Sequence, residues 1–267
     1  MTRRRLDAEL VARGLSRSRD HARALIESGV VVVNGVVATK SASQVDLGAS
    51  IVVDESVHAE SYVSRGAYKL IGALDVFAPM GLTVAGKQAL DAGASTGGFT
   101  DVLLRREAQH VCAVDVGYGQ LAWSLRQDPR VTVIERVNVR DLSADQLPYA
   151  PNLVTADLSF ISLSLVLPAL AGVAAPGSDF VLMVKPQFEV GREQVGSGGV
   201  VREPTLRSQA VRKIADVGMS LGLGVAAVSA SPLPGPSGNV EYFLWLRADA
   251  PPPDNDRIER AVTEGPQ

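Results

Sequence analysis

Two hydrophobic periods divide the chain. Near the N-terminus Leu6, Leu10 and Val11 recur at helical spacing and stop at Gly14, and Ala22, Leu25 and Ile26 form a second stripe between Ser16 and Gly29. This pattern predicts helix, turn, helix, with Ser16 at the start of the second helix and the glycines as C-terminal caps. The apolar runs 30–33 and 36–38 flank Asn34-Gly35, the dipeptide that most favours a two-residue hairpin turn, and 51–53 adds a third strand after the turn at 46–48. Further on, Ala67, Leu70, Ile71, Leu74 and Phe77 line one face of a helix over 66–77, with Lys69 off that stripe. From Lys87, short apolar runs at 89–91, 111–115, 131–134, 153–157, 180–185, 225–229 and 242–246 alternate with segments of helical length. That alternation predicts a doubly wound α/β sheet of seven strands.

The expected domains are a small α+β unit over 1–59, a linker over 60–66, a large α/β domain over 67–248 and a tail over 249–267. The tail opens on Pro251-Pro252-Pro253 and carries weak helical spacing between Ile258 and Val262, so it is either disordered or a short docked helix. Residues 187–201 form a Gly-rich loop that reads equally as a lid or as an ordinary connection.

Composition narrows the function. The chain has 267 residues, 46% of them hydrophobic, which suits a globular protein and excludes general disorder. A single cysteine, Cys112, excludes an intrachain disulfide and a thiolate zinc cluster, and His21 and His58 have no partner at metal-ligand spacing, so no metal site is expected. No apolar run reaches the roughly 18 residues of a membrane span, and Met1-Thr2-Arg3-Arg4-Arg5 does not open a signal peptide. A cytoplasmic protein is expected. The net charge is −3, yet the first 23 residues hold seven arginines against Asp7, Glu9 and Asp20. A local basic face on an acidic protein fits contact with RNA, and it equally fits a solvated helix face.

The most informative segment is Asp91-Ala92-Gly93-Ala94-Ser95-Thr96-Gly97-Gly98-Phe99, between the first strand of the large domain and a helix starting near Phe99. Glycines there let backbone approach a ligand, but the spacing is not the G-x-G-x-x-G of a dinucleotide site. It resembles the D-x-G-x-x-x-G-G-F loop of S-adenosylmethionine-dependent methyltransferases. Asp91 then suits the cofactor's cationic head, Asp115 with Val116 stands at the next strand end where an acid meets ribose hydroxyls, and Asp141 is available to the adenine amino group. Asp157 closes the fourth strand, Lys185 the fifth, and Glu241 precedes a last strand able to run antiparallel beside the fifth.

Lys69, Asp157, Lys185 and Glu241 stand in the order and strand context of the K-D-K-E tetrad, a resemblance to FtsJ-type ribose 2′-O-methyltransferases. It implies Lys185 as the base that takes the hydroxyl proton, Asp157 as its orienting partner, and Lys69 with Glu241 as outer members holding substrate and network. The helix pair followed by "SGVVVVNGVV" resembles the small RNA-binding domain first described in a ribosomal protein, which implies Arg4, Arg5, Arg13, Arg17, Arg19, Arg23, Lys40 and Arg65 as RNA contacts. Together with "LDAGASTGGFTDVLL", "VDVGYGQLAW", "ADLSFISL", "LMVKPQFEVG" and "SPLPGPSGNVEYFLWL", these segments resemble the TlyA family over residues 3–247. Membership implies a Rossmann-like class I methyltransferase fold and monomeric action. It also implies 2′-O-methylation of cytidines in 16S and 23S rRNA of 30S and 50S subunits, with an effect on capreomycin and viomycin sensitivity.

Three alternatives remain at this level. An RNA base methyltransferase would carry a proline-rich motif or a nucleophilic cysteine after the fourth strand, where Asp157-Leu158-Ser159-Phe160 stands. A haemolysin-like membrane-active protein would need an amphipathic or apolar segment outside the core. A catalytically dead RNA adaptor would not need the tetrad.

Overall fold

The computed structural model describes residues 3–16, 18–27, 29–53 and 62–265. The chain divides into two compact units, Met1–Arg65 and Gly66–Gln267. Arg17 and His58 lie outside the described residues.

The first unit runs β1 Arg3–Arg5, α1 Leu6–Ala12, α2 Arg19–Glu27, β2 Val31–Val33, β3 Val36–Val37, β4 Gln44–Asp46 and β5 Ile51–Val53. Leu6, Leu10, Ala22, Ile26, Val30, Val31, Val45 and Ile51 form its core. The hairpin turns where expected, because Asn34 and Gly35 both adopt positive φ (49° and 80°), as a type I′ turn requires. The three-stranded sheet has the order β3-β2-β5. Two details differ from the sequence pattern. The second helix starts at Arg19, and Ser18, not Ser16, accepts the His21 amide at 3.1 Å as its cap. The arginine run Arg3–Arg5 forms a strand, antiparallel to Gln44–Asp46. Arginines carry no apolar alternation, so periodicity could not reveal it.

The second unit comprises α3 Gly66–Phe77, β6 Gln88–Ala92, α4 Gly98–Arg105, β7 His110–Asp115, α5 Trp123–Arg126, β8 Val131–Glu135 and β9 Leu153–Ala156, then α6 Leu163–Val173, β10 Asp179–Val184, α7 Pro186–Glu189, α8 Pro204–Ser220, β11 Gly224–Ala230, β12 Tyr242–Arg247 and α9 Asn255–Glu264. The expected seven-stranded sheet is present, ordered β11-β12-β10-β9-β6-β7-β8. β12 is antiparallel to both its neighbours, while β10-β9-β6-β7-β8 are parallel. Alternation along β12 explains its double burial: Tyr242, Leu244 and Leu246 join the core under α6, α8 and α9, whereas Phe243 and Trp245 turn to the other face against Phe99 and Phe77. Of the two readings of the tail, the structure has the docked helix, with Asp254 capping α9 and Ile258 and Val262 buried.

The chain enters the sheet at β6, with β7 and β8 on one side and β9 and β10 on the other. The switch point between β6 and β9 opens a crevice at their carboxyl ends, the place where open α/β sheets hold ligands.

Candidate active site

A cavity of about 410 Å³ occupies that crevice, within the range of small-molecule sites. Four strand ends supply its wall: Gly93 and Ser95 follow β6, Asp115 ends β7 with Val116 after it, Asn138 and Val139 follow β8, and Asp157 to Ile161 follow β9. Gly93 is required on two counts. Its φ is +85°, and a Cβ there would stand 2.6 Å from the Asp157 carbonyl oxygen. Gly97, at φ 101°, is the N-cap of α4.

The carboxylate of Asp115 accepts the Ser95 amide at 2.8 Å and the Gly117 amide at 2.7 Å, which fixes it at the cavity wall. Asp91 is fully buried beneath the loop and absent from the wall. It accepts the Thr100 hydroxyl at 2.7 Å, and burial pushes its carboxyl up to about 7. The Thr100 bond opposes that rise, and the neighbouring charge of Asp157 adds to it. Asp141 sits in a 3-10 turn with its side chain in solvent and is not brought to the wall, which Asn138 and Val139 form in its stead. Of the remaining loop residues, Ala94 and Gly98 are buried and support the turn, Phe99 packs against Phe243, and Thr96 is exposed.

The four tetrad residues form two ion pairs. Lys185 Nζ lies 2.6 Å from Asp157 Oδ1 and donates to Ser159 Oγ at 3.0 Å. Lys69 Nζ donates to Glu241 Oε2 at 2.6 Å, with both side chains buried. The β10–β12 register, which pairs Val184 with Tyr242, sets Lys185 beside Glu241 at the same edge. Asp157 both lines the cavity and holds Lys185, so it joins the ligand space to the lysine.

Sequence reasoning missed Ser159, Asn138, Phe160 and Glu189. Phe160 is 91% exposed at the cavity mouth, with φ 64° and its ring 5.3 Å from Phe188. Glu189 is buried and accepts Ser162 Oγ at 2.5 Å and the Leu163 amide at 2.7 Å, tying α7 to the start of α6. Only proximity to Asp157 and Lys185 in sequence hinted at the first and last of these.

In the first unit the arginines are paired, Arg4 and Arg13 with Glu9, and Arg5, Arg19 and Arg23 with Asp7. Lys40 and Arg65 are exposed.

Residues 62–248 match the family described as FtsJ-like methyltransferase. The chain belongs to that family. Residues 4–51 of this FtsJ-like methyltransferase match the S4 domain. The chain is 56% identical to the 16S/23S rRNA (cytidine-2′-O)-methyltransferase TlyA of Mycobacterium tuberculosis, over 99% of each chain. It is 43% identical to the putative rRNA methyltransferase YqxC of Bacillus subtilis, over 91% of this chain and 85% of that one. A solved structure, a putative hemolysin from Streptococcus thermophilus, is similar at TM-score 0.76 and 38% identity, covering 99% of this chain and 96% of that one. Membership implies S-adenosylmethionine as the methyl donor, and the S4 domain implies an RNA substrate. The residues present fit that cofactor: glycine at 93 lets the loop after β6 pack closely on the Asp157 backbone at the cavity wall, and Asp115 offers acceptors there.

Proposed function

We propose that this FtsJ-like methyltransferase transfers a methyl group from S-adenosylmethionine to the 2′-hydroxyl of cytidines in 16S and 23S rRNA. The observation that carries the reading is the position of Lys185, between Asp157 and Ser159 at the edge of the cavity. The full-length identity to the M. tuberculosis enzyme points to the same substrate class.

Bound in the cavity, the cofactor supplies an electrophilic methyl group on a sulfonium. A ribose hydroxyl is a weak nucleophile, so its proton must leave as the new C–O bond forms. Lys185 Nζ enters the step as the neutral amine, accepts that proton and becomes ammonium. Asp157 and Ser159 hold the ammonium group in place, and Asp115 and Asn138 orient the nucleoside part of the donor. Lys69, fixed by Glu241, holds the acceptor ribose. Phe160 offers an exposed aromatic face on which a splayed base stacks, the usual means of reading unpaired RNA.

We infer that the enzyme works as a cytoplasmic monomer on 30S and 50S subunits, and that its loss alters capreomycin and viomycin sensitivity. No helix among the described residues is long and apolar enough to cross a membrane. Nuclease digestion and mass spectrometry of 16S and 23S rRNA, incubated as subunits with the enzyme and labelled donor, test the reading. New 2′-O-methylcytidine is expected, whereas methyl groups on bases would replace it with the base-methyltransferase alternative.

A further inference from the structure

The arginines of the first unit are arranged around buried acid. Asp7, in the first turn of α1, is fully buried. Arg5, at the end of β1, donates Nε to its Oδ1 at 3.1 Å and Nη2 to its Oδ2 at 2.9 Å. Arg19, at the start of α2, donates Nη2 to both oxygens at 3.2 Å, and Arg23, one turn on, keeps Nε 3.9 Å from Oδ2. Hydrogen bonding from Arg5 is the main reason the Asp7 carboxyl is held down to about 2. Three guanidinium groups from two elements thus converge on one carboxylate, yet each side chain stays about half exposed. Without the carboxylate, the three like charges would repel one another apart. With it, the Arg5 and Arg19 forks are fixed by hydrogen bonds, Arg23 is drawn alongside while its Nη1 pairs with Asp20 at 3.3 Å, and N–H groups remain for a second oxyanion.

Arg13 is used differently. It donates Nε to Glu9 at 2.8 Å and its two terminal nitrogens to the carbonyls of Ala49 and Leu47, both at 2.7 Å. That set ties α1 to the turn before β5 and leaves little for a ligand.

We propose that Asp7 is a positioning residue for RNA binding, gathering Arg5, Arg19 and Arg23 into one platform for adjacent phosphates of an RNA backbone. Arg13 belongs to the framework of the unit and not to this platform. The proposal rests on the RNA-binding reading of the first unit and adds an acid that helps bind a polyanion.

The test uses the full chain and an rRNA fragment that the wild type binds, titrated across a salt series, with circular dichroism reporting that each variant is folded. By charge alone Asp7→Asn should strengthen binding, because it removes a negative charge beside the patch. The platform requires the opposite: roughly ten-fold weaker binding near physiological salt and a salt dependence shallower by about one to two phosphate contacts. Equal or tighter binding by folded Asp7→Asn, with an unchanged slope, overturns the proposal. Should Asp7→Asn fail to fold, the exposed Arg19→Lys decides, since a lysine there keeps the charge but not the fork. Affinity and slope equal to wild type would then overturn it. Absence of salt-dependent RNA binding by the wild type would instead remove the RNA-binding reading itself.

Discussion

Val184 stands opposite Tyr242 across the antiparallel seam between β10 and β12. One step beyond that pair, Lys185 leaves β10 where Glu241 enters β12, so residues 56 positions apart in sequence meet at one sheet edge. The parallel pairing of Leu182 with Ala156 brings Asp157 to the same edge from the other side. The proposed reacting groups are therefore placed by strand register, and a slip of one residue would turn Lys185 to the opposite face.

The Lys69–Glu241 pair separates stability from activity. Glu241→Gln leaves an ammonium group buried against an amide, and about 3–5 kcal/mol of stability is expected to be lost. The double variant Lys69→Met/Glu241→Gln should recover most of that loss in denaturant titration while remaining impaired in methyl transfer. Full activity in the double variant would show that the pair serves only the fold.

Asp91 gives the protein a pH signature. Its carboxyl titrates near 7 when folded and near about 4 when unfolded, so the folded state binds the extra proton between those values. The stabilising contribution of the protonated acid is complete below about pH 4 and is lost as pH rises through about 7. Asp91→Asn, which keeps an acceptor for Thr100, should remove that dependence. Thermal midpoints of variant and wild type should diverge in the variant's favour between pH 5 and 8, and a constant difference would contradict the buried-acid account.

Phe160 contributes little to packing, being almost wholly exposed. Phe160→Ala is expected to change stability by under about 0.5 kcal/mol and leave donor affinity intact. Single-turnover transfer to RNA should fall about 5- to 100-fold, the worth of one stacked base. Unchanged turnover would exclude Phe160 from substrate contact.

Gly93→Ala tests the cradle. A methyl group at φ +85° and 2.6 Å from the Asp157 carbonyl forces the two loops apart, so calorimetry should show weakened donor binding. Wild-type affinity would mean the donor lies elsewhere.

Much of this was legible in the chain. Short apolar runs alternating with segments of helical length announce the seven-stranded sheet, and Asn34-Gly35 announces the hairpin. Asp157 and Lys185 were readable because a charge at the tip of an apolar strand is costly unless used. Lys69 was harder, since being off the helix stripe reads as solvated, and its burial depends on Glu241, 172 residues away. Asn138 carries no signal, and Ser159 none beyond its nearness to Asp157, because short polar residues after strands are common turn formers. In sequence Asp7 is only a charge offsetting arginines, because burial of an acid inside a basic cluster is a tertiary fact.

Lys185 is the residue on which the proposed reaction turns. Wild type and Lys185→Ala, each shown by calorimetry to bind the donor, should be incubated with labelled S-adenosylmethionine and ribosomal subunits, and the RNA then hydrolysed in alkali. Label is expected in alkali-resistant dinucleotides for wild type, with a loss of about 10²–10⁴-fold for the variant. Transfer at wild-type rate by Lys185→Ala, or label released in alkali-sensitive nucleotides, would contradict it.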